Sequence, residues 1–484
     1  MFNRITTLYL LAFPIGMMGV VHALFAFLSF FIFHDHEESD FLTPSLILLL
    51  VAGLFFAIGR RYDVSKVGFR DALIFAVATW VVTGLMGAIP IIEIANVSVA
   101  DGVFESVSAL TTTGATVLSG LDNMPQTFLL YRQFLQWLGG LGVVVFVVAV
   151  LPMLNVGGMR LLKAETPGPM KDDKLSPRIT HTAHYLLLVY FYITVLCAVA
   201  YYLAGMTVFD AIAHSFTTVS TGGFSTHDAS MGYFNSPLIL MIANVFMLLG
   251  AISFSLHFRV WRGRQLKLYW QDEETRSFIV LVILLTASIV FVLMQKSHYD
   301  NVFAAISDSL FHLISFITST GYGAASFTDW PYVVGFLLVL AGYFGGCAGS
   351  TAGGNKIVRS VIFAKVLNVE AKRLLHTRGL FSVKFNGKTL DANIVSSTLA
   401  FIFFSCLTTT VLTIVMMSTN LDFWTAFTAV AACINVSGPA FGSLSSNFQP
   451  VSDAGIWVLS FAMILGRLEY FTVLALFLPM FWRE

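Results

Sequence analysis

Thr318-Ser319-Thr320-Gly321-Tyr322-Gly323 lies between two long apolar segments, and thinner versions of it occur three more times. The other copies are Thr111-Thr112-Thr113-Gly114, Val219-Ser220-Thr221-Gly222 and Asn435-Val436-Ser437-Gly438. A short apolar run precedes each copy: Val103–Leu110, Ala211–Val219, Leu310–Ile317 and Trp424–Ile434. Such runs are too short to cross a bilayer, which takes about 20 residues, but they suit a re-entrant half-helix. The unit is therefore helix, half-helix, extended loop, helix, and its glycines 114, 222, 321 and 438 recur roughly every 100 residues.

Composition places these units in a membrane. The chain is 57% hydrophobic and 11% charged, against about 25% charged in ordinary soluble domains, and its mean hydropathy is +0.81. Apolar segments predict ten spans: Ile5–Phe33, Ser45–Gly59, Ala72–Ile92, Leu129–Leu154, Tyr185–Leu203, Leu238–Phe258, Phe278–Met294, Tyr332–Gly346, Ile394–Met417 and Ile456–Phe481. The first continues past signal-peptide length and reads as an uncleaved helix. The fold expected is an all-α polytopic membrane protein with four pseudo-repeats around one pore, plus an extra N-terminal helix pair. The expected boundaries are 1–66 for that pair, 67–158, 159–265 and 266–372 for the first three repeats, and 373–484 for a cytoplasmic hairpin with the fourth. Net charge is zero, which gives no reason to expect nucleic acid. Cys197, Cys347, Cys406 and Cys433 lie in apolar segments without metal-ligand spacing and read as small buried hydrophobes.

Charge placement sets the sides. Arg60, Arg61, Lys66 and Arg70 form one basic cluster, and Arg160, Lys163, Lys171, Lys174 and Arg178 another. Arg259, Arg262, Arg264, Lys267 and Arg276 form a third, and the last runs from Lys356 to Lys388. These face the cytoplasm. The alternate connections carry acids: 34–38 is rich in them, and Asp101, Asp122, Asp210, Asp228, Asp308, Asp329, Asp422 and Asp453 lie beside the hydroxyl-glycine loops. An acidic outer mouth concentrates cations. Asn386-Gly387, between short extended runs, predicts a hairpin with a type I′ turn.

A bare backbone cannot face lipid, so loops at membrane depth must line water or be buried in protein. Rings of carbonyl oxygens can replace the water shell of a potassium ion. Glycine turns successive carbonyls inward, and a hydroxyl precedes each of these glycines: Thr113, Thr221, Thr320 and Ser437. The half-helices would aim about half an electron charge of negative dipole at a central cavity. Gly321-Tyr322-Gly323 matches the potassium-channel signature best. Val219, Asn435 and Pro439 depart from it, so the expected preference for K⁺ over Na⁺ is real but modest.

With these motifs, and with Arg132–Gly140 and Gly466-Arg467-Leu468-Glu469, the chain resembles the Trk/Ktr/HKT superfamily of potassium transporters. The extra helix pair resembles the bacterial Trk-type membrane subunit. The resemblance implies potassium uptake across the bacterial inner membrane, a homodimer with one pore per protomer, and no enzymatic activity. It also implies a cytoplasmic ring of RCK-type subunits that carries any ATP/ADP or NAD sensing. The chain itself has no Walker A loop, GxGxxG fingerprint or catalytic dyad.

A glycine-rich break follows the third loop: Gly345, Gly346, Gly349, Ser350, Thr351, Gly353 and Gly354, ending at Lys356. Glycines weaken a helix by about 1 kcal/mol each relative to alanine, so this stretch reads as close helix packing or as an unwound polar loop below the filter. The resemblance implies an intramembrane gating loop, with Lys356 anchoring its cytoplasmic end. Arg467 is a basic residue deep in a span, where charge costs about 2.5–3.5 kcal/mol on insertion scales. It either pairs with an acid such as Glu469 or, as the resemblance implies, forms an electrostatic barrier in the pore. Arg132, at the start of its helix, reads as a snorkelling side chain. His214 and His312, inside half-helices, read as packing residues. The competing function is an H⁺- or Na⁺-coupled secondary transporter, which needs intramembrane carboxylates; Glu469 is the deep acid the sequence offers.

Overall fold

The computed structural model describes residues 4–59, 69–142, 179–376, 379–468 and 470–482. The basic residues at 60, 61, 66, 160, 163, 171, 174 and 178, the far end of the span expected over 129–154, and Glu469 all lie outside the described residues.

The N-terminal pair, α1 (Arg4–Leu28) and α2 (Glu38–Gly59), packs on α3 (Phe69–Ala95). The first repeat continues with half-helix α4 (Val99–Leu110) and α5 (Gln126–Leu141). The second comprises α6 (Ile179–Leu203), half-helix α7 (Val208–Val219), α8 (Pro237–Ala251) and α9 (Phe254–Gly263). The third has α10 (Glu273–Gln295), half-helix α11 (Val302–Ile317), α12 (Tyr332–Phe344) and α13 (Ile357–Leu375). The fourth has α14 (Ala392–Met417), half-helix α15 (Phe423–Ile434) and α16 (Asp453–Leu468).

Among the described residues, six helices are long and apolar enough to cross a membrane, and α8 with α9 forms a bent pair. Their outer faces expose large apolar side chains such as Leu50, Phe191, Phe291 and Phe403, as a lipid-facing surface requires. One apolar core joins the N-terminal pair to the first and fourth repeats, and a second joins the second and third repeats. Cys197, Cys347 and Cys433 are buried as expected, whereas Cys406 lies on the exposed side of α14.

Two expected spans end early, for one shared reason. The span expected over 238–258 breaks after Ala251 and bends by 98°. There the backbone of the glycine-rich loop takes over the helix carbonyls: Cys347 N donates to Ala251 O at 2.8 Å and Thr351 N to Gly250 O at 3.2 Å. The span expected over 332–346 stops at Phe344, because Gly345 turns the chain with φ +70°. The expected hairpin forms, with β1 (Lys384–Phe385) paired antiparallel to β2 (Lys388–Thr389). Asn386 and Gly387 both have positive φ, as a type I′ turn requires.

Candidate functional site

Each half-helix starts on a side-chain cap and stops in the same way. Ser98, Thr207, Asn301 and Asp422 accept first-turn N–H groups. At the other end Thr113 N donates to Ser108 O, Gly222 N to Thr217 O, Thr320 N to Ser315 O and Ser437 N to Ala432 O, each at 2.8 Å. The residue before each of these donors is left-handed although it is not glycine: Thr112 (φ 58°), Thr221 (54°), Ser319 (56°) and Val436 (57°). This is a Schellman ending built on the wrong residue type. Such backbone costs on the order of 1–3 kcal/mol per residue and clusters at functional sites.

That geometry moves one expected motif. Repeat two was read as Val219-Ser220-Thr221-Gly222. The quartet in register with Thr111–Gly114, Thr318–Gly321 and Asn435–Gly438 is Ser220-Thr221-Gly222-Gly223, with Gly223 at φ +80°. Val219 is the last residue of its half-helix, and Gly222 stands where the other repeats carry Thr113, Thr320 and Ser437. Two adjacent glycines made the register ambiguous in sequence.

The loops close into a ring. A Cβ placed on Gly114 would overlap Gly222 O, one on Gly223 would overlap Thr320 O, and one on Gly321 would overlap Ser437 O. One on Gly438 would press on Thr113 O. The cyclic order is one to two, two to three, three to four, four to one, so four carbonyls from equivalent positions converge with no room for side chains between them.

A second fourfold device holds each loop from behind. Six residues before the quartet stand Glu105, His214 and His312. Glu105 accepts from Val117 N (3.1 Å) and Thr116 Oγ1 (3.0 Å). His214 Nε2 pairs with Ser225 Oγ at 3.0 Å, and Ala324 N donates to His312 Nε2 at 3.3 Å. In repeat four Thr428 Oγ1, one residue earlier, accepts from Phe441 N at 3.1 Å. The packing role read for the histidines is thus a specific pin. Tyr322 adds another tie, its hydroxyl meeting Thr217 Oγ1 at 2.5 Å and Thr218 Oγ1 at 3.0 Å on the neighbouring half-helix.

Arg132 does not snorkel. It is fully buried, ion-paired to Glu105 through both Nε (2.9 Å) and Nη2, with its guanidinium 4.2 Å from the Phe224 ring centre. Among the described residues, Glu105 and Glu274 are buried acids that the sequence reading did not single out. In the segments that follow the first two quartets, Asp228 accepts from Gly120 N and Leu121 N at 2.9 and 3.1 Å, tying repeat two to repeat one. The His227 imidazole beside Asp122 holds that carboxyl below the usual carboxylate range.

The glycine-rich loop docks on the underside of the ring. Gly353 N donates to Ser319 Oγ at 2.5 Å and Gly354 N to Asn435 O at 3.0 Å. Thr351 Oγ1 lies 3.1 Å from Val219 O, 3.0 Å from Gly250 O and 3.2 Å from Thr221 Oγ1. The loop therefore touches the quartets of repeats two, three and four. Gly345, Gly349 and Gly354 have positive φ, while Gly346 and Ser350 fill the turn beside Cys347. Lys356 is buried, and its ammonium turns back onto Ala352 O.

Arg467 reaches the same loop from α16. Its Nη1 donates to Thr351 O at 2.9 Å and its Nη2 lies 3.4 Å from Gly139 O. A small cavity beneath the ring is lined by Arg467, Lys356, Arg359, Gly353, Ile434 and Tyr470.

The TrkH family model, described as a cation transport protein family, matches residues 43–484. The chain belongs to the TrkH family. It is 43% identical over 486 residues to the Trk system potassium uptake protein TrkH of Vibrio parahaemolyticus, with 99% of each chain covered. The Escherichia coli K12 protein of the same description is 42% identical over 444 residues, covering 91% of this chain and 92% of its own. The crystal structure of the potassium transporter TrkH from Vibrio parahaemolyticus superposes with a TM-score of 0.90 at 38% identity, covering 99% of this chain and all of that one. The fold is that of a membrane transport family, all-α and multi-pass, as the sequence predicted.

Proposed function

We propose that this chain is the membrane subunit of a potassium-uptake system of the bacterial inner membrane, and that K⁺ passes along the axis enclosed by the four quartets. The observation that carries this reading is the closed cyclic order of the loops, in which the carbonyls of Thr113, Gly222, Thr320 and Ser437 each abut the glycine of the preceding repeat, Thr113 closing onto repeat four. Carbonyl rings of this kind stand in for a cation's hydration shell. The family membership and the printed descriptions of the relatives support potassium as the ion.

The segment 345–356 acts as the gate, held closed beneath the ring by Thr351, by Gly353 and by Arg467. Its contacts with three of the four quartets support this assignment. The boundaries 1–66, 67–158, 159–265, 266–372 and 373–484 divide the chain into the extra pair and four repeats. A homodimer and a cytoplasmic nucleotide-binding RCK-type ring complete the assembly, in line with the family resemblance. The basic loops and the hairpin around Asn386 are the docking surface for that ring.

The test is flux of K⁺, Rb⁺ and Na⁺ through purified protein in liposomes, with and without the cytoplasmic subunit. K⁺ and Rb⁺ should exceed Na⁺ by a modest factor; equal permeation contradicts the reading. A flux that rises with a proton or sodium gradient favours coupled transport instead. Shortening 345–354 should raise flux without the partner, and unchanged flux refutes the gate.

A further inference from the structure

The two ends of the glycine-rich loop meet at one carboxylate oxygen. Glu274 Oε1 accepts from Ala348 N at 2.7 Å and from Val358 N at 3.1 Å. The carboxylate is buried in the first turn of α10. A buried N–H that loses such an acceptor bears the full cost of its own desolvation. The same oxygen thus binds the chain just after the loop begins and again just after α13 starts.

The two residues before Glu274 face elsewhere. Asn386, at the tip of the hairpin, donates its backbone N–H to Glu273 Oε2 at 2.9 Å and its side-chain amide to Asp272 Oδ1 at 3.0 Å. Glu273 N returns a bond to Asn386 Oδ1 at 2.8 Å. Lys365 of α13 pairs with Glu273 and donates to Lys384 O at 2.7 Å. A small apolar cluster lies beside this clasp: Phe385 and Leu390 of the hairpin pack with Val358 and Ile362 of α13, with Ala348 against them. Three consecutive acids therefore hold the hairpin tip on one side and both ends of the loop on the other.

We infer that Glu274 is the positioning residue that couples the cytoplasmic hairpin to the glycine-rich loop, through the Asp272–Glu273 clasp on Asn386. The inference rests on the gate assignment proposed above. A displacement of the hairpin tilts the first turn of α10, and the shared carboxylate carries that tilt to Ala348 and Val358 together.

The test uses the purified full-length chain in liposomes, read by Rb⁺ uptake and by amide hydrogen exchange across 345–358. Glu274→Ala and Glu274→Met should raise uptake at least threefold and speed exchange at Ala348 and Val358. Glu274→Met fills the space without the shared acceptor oxygen and serves if Glu274→Ala does not fold. Asn386→Ala should speed exchange at the same amides, although Asn386 hydrogen-bonds to neither, and should leave the K⁺ to Na⁺ ratio within twofold of native. If shortening 345–354 raises uptake while Asn386→Ala and Glu274→Met leave both readouts native, the coupling is wrong and the gate stands. If the shortened loop leaves uptake unchanged, the gate assignment falls and the coupling falls with it.

Discussion

Replacing Arg467 with glutamine should open the pore by releasing the loop beneath the ring. The guanidinium holds Thr351 O at 2.9 Å, and Thr351 in turn sits under Val219 O and Gly250 O. A hydrogen bond from a charged donor contributes about 1.5–3 kcal/mol. The second contact, to Gly139 O at 3.4 Å, is long and adds little. Taking about 2 kcal/mol for the latch, and a tenfold change per 1.4 kcal/mol, the ratio of released to docked loop rises roughly 30-fold. The assay is Rb⁺ uptake into K⁺-loaded liposomes by purified protein without any cytoplasmic subunit. Arg467→Lys separates latch from barrier: it keeps a positive charge on a four-carbon stem but lacks the Nη1 that reaches Thr351 O. If the latch dominates, lysine opens the pore nearly as far as glutamine. If charge alone blocks the ion, lysine stays near native. Uptake by a folded Arg467→Gln variant within twofold of native refutes both.

Three further outcomes follow from the ring and its supports. Glu105→Ala strands the buried Arg132 cation, a loss of about 3–5 kcal/mol for a broken buried pair; the thermal midpoint should fall, and adding Arg132→Met should recover most of it. Gly223→Ala should abolish uptake, because its Cβ would overlap Thr320 O, whereas Gly120→Ala, also at positive φ but with open space around it, should keep uptake. Tyr322→Phe removes the ties to Thr217 and Thr218, together about 1 kcal/mol net, and should lower the K⁺ to Na⁺ flux ratio a fewfold while leaving the protein folded.

The half-helices and their loops were legible because their information is local. A capping residue, a short apolar run and a hydroxyl-glycine ending repeat four times, and Asn386-Gly387 announces its own turn. What stayed hidden depends on contacts between repeats. The break after Ala251 is made by backbone donors from Cys347 and Thr351, about 100 residues away in sequence. Arg132 has the sequence position of an interfacial residue, but Glu105, 27 positions earlier, faces it inside the same repeat. The register of the second quartet turned on which of two neighbouring glycines takes positive φ, and the left-handed Thr221 decides it. A period of six between Glu105, His214 or His312 and its quartet was present in the sequence. It is visible only once the four helix endings are aligned.

The most direct test of the ring is to locate the ion. Anomalous scattering from crystals of the purified protein soaked in Rb⁺ or Tl⁺ should place a peak on the axis, among the carbonyls of Thr113, Gly222, Thr320 and Ser437. An axis without density, or a peak held instead by carboxylates away from the ring, contradicts the account.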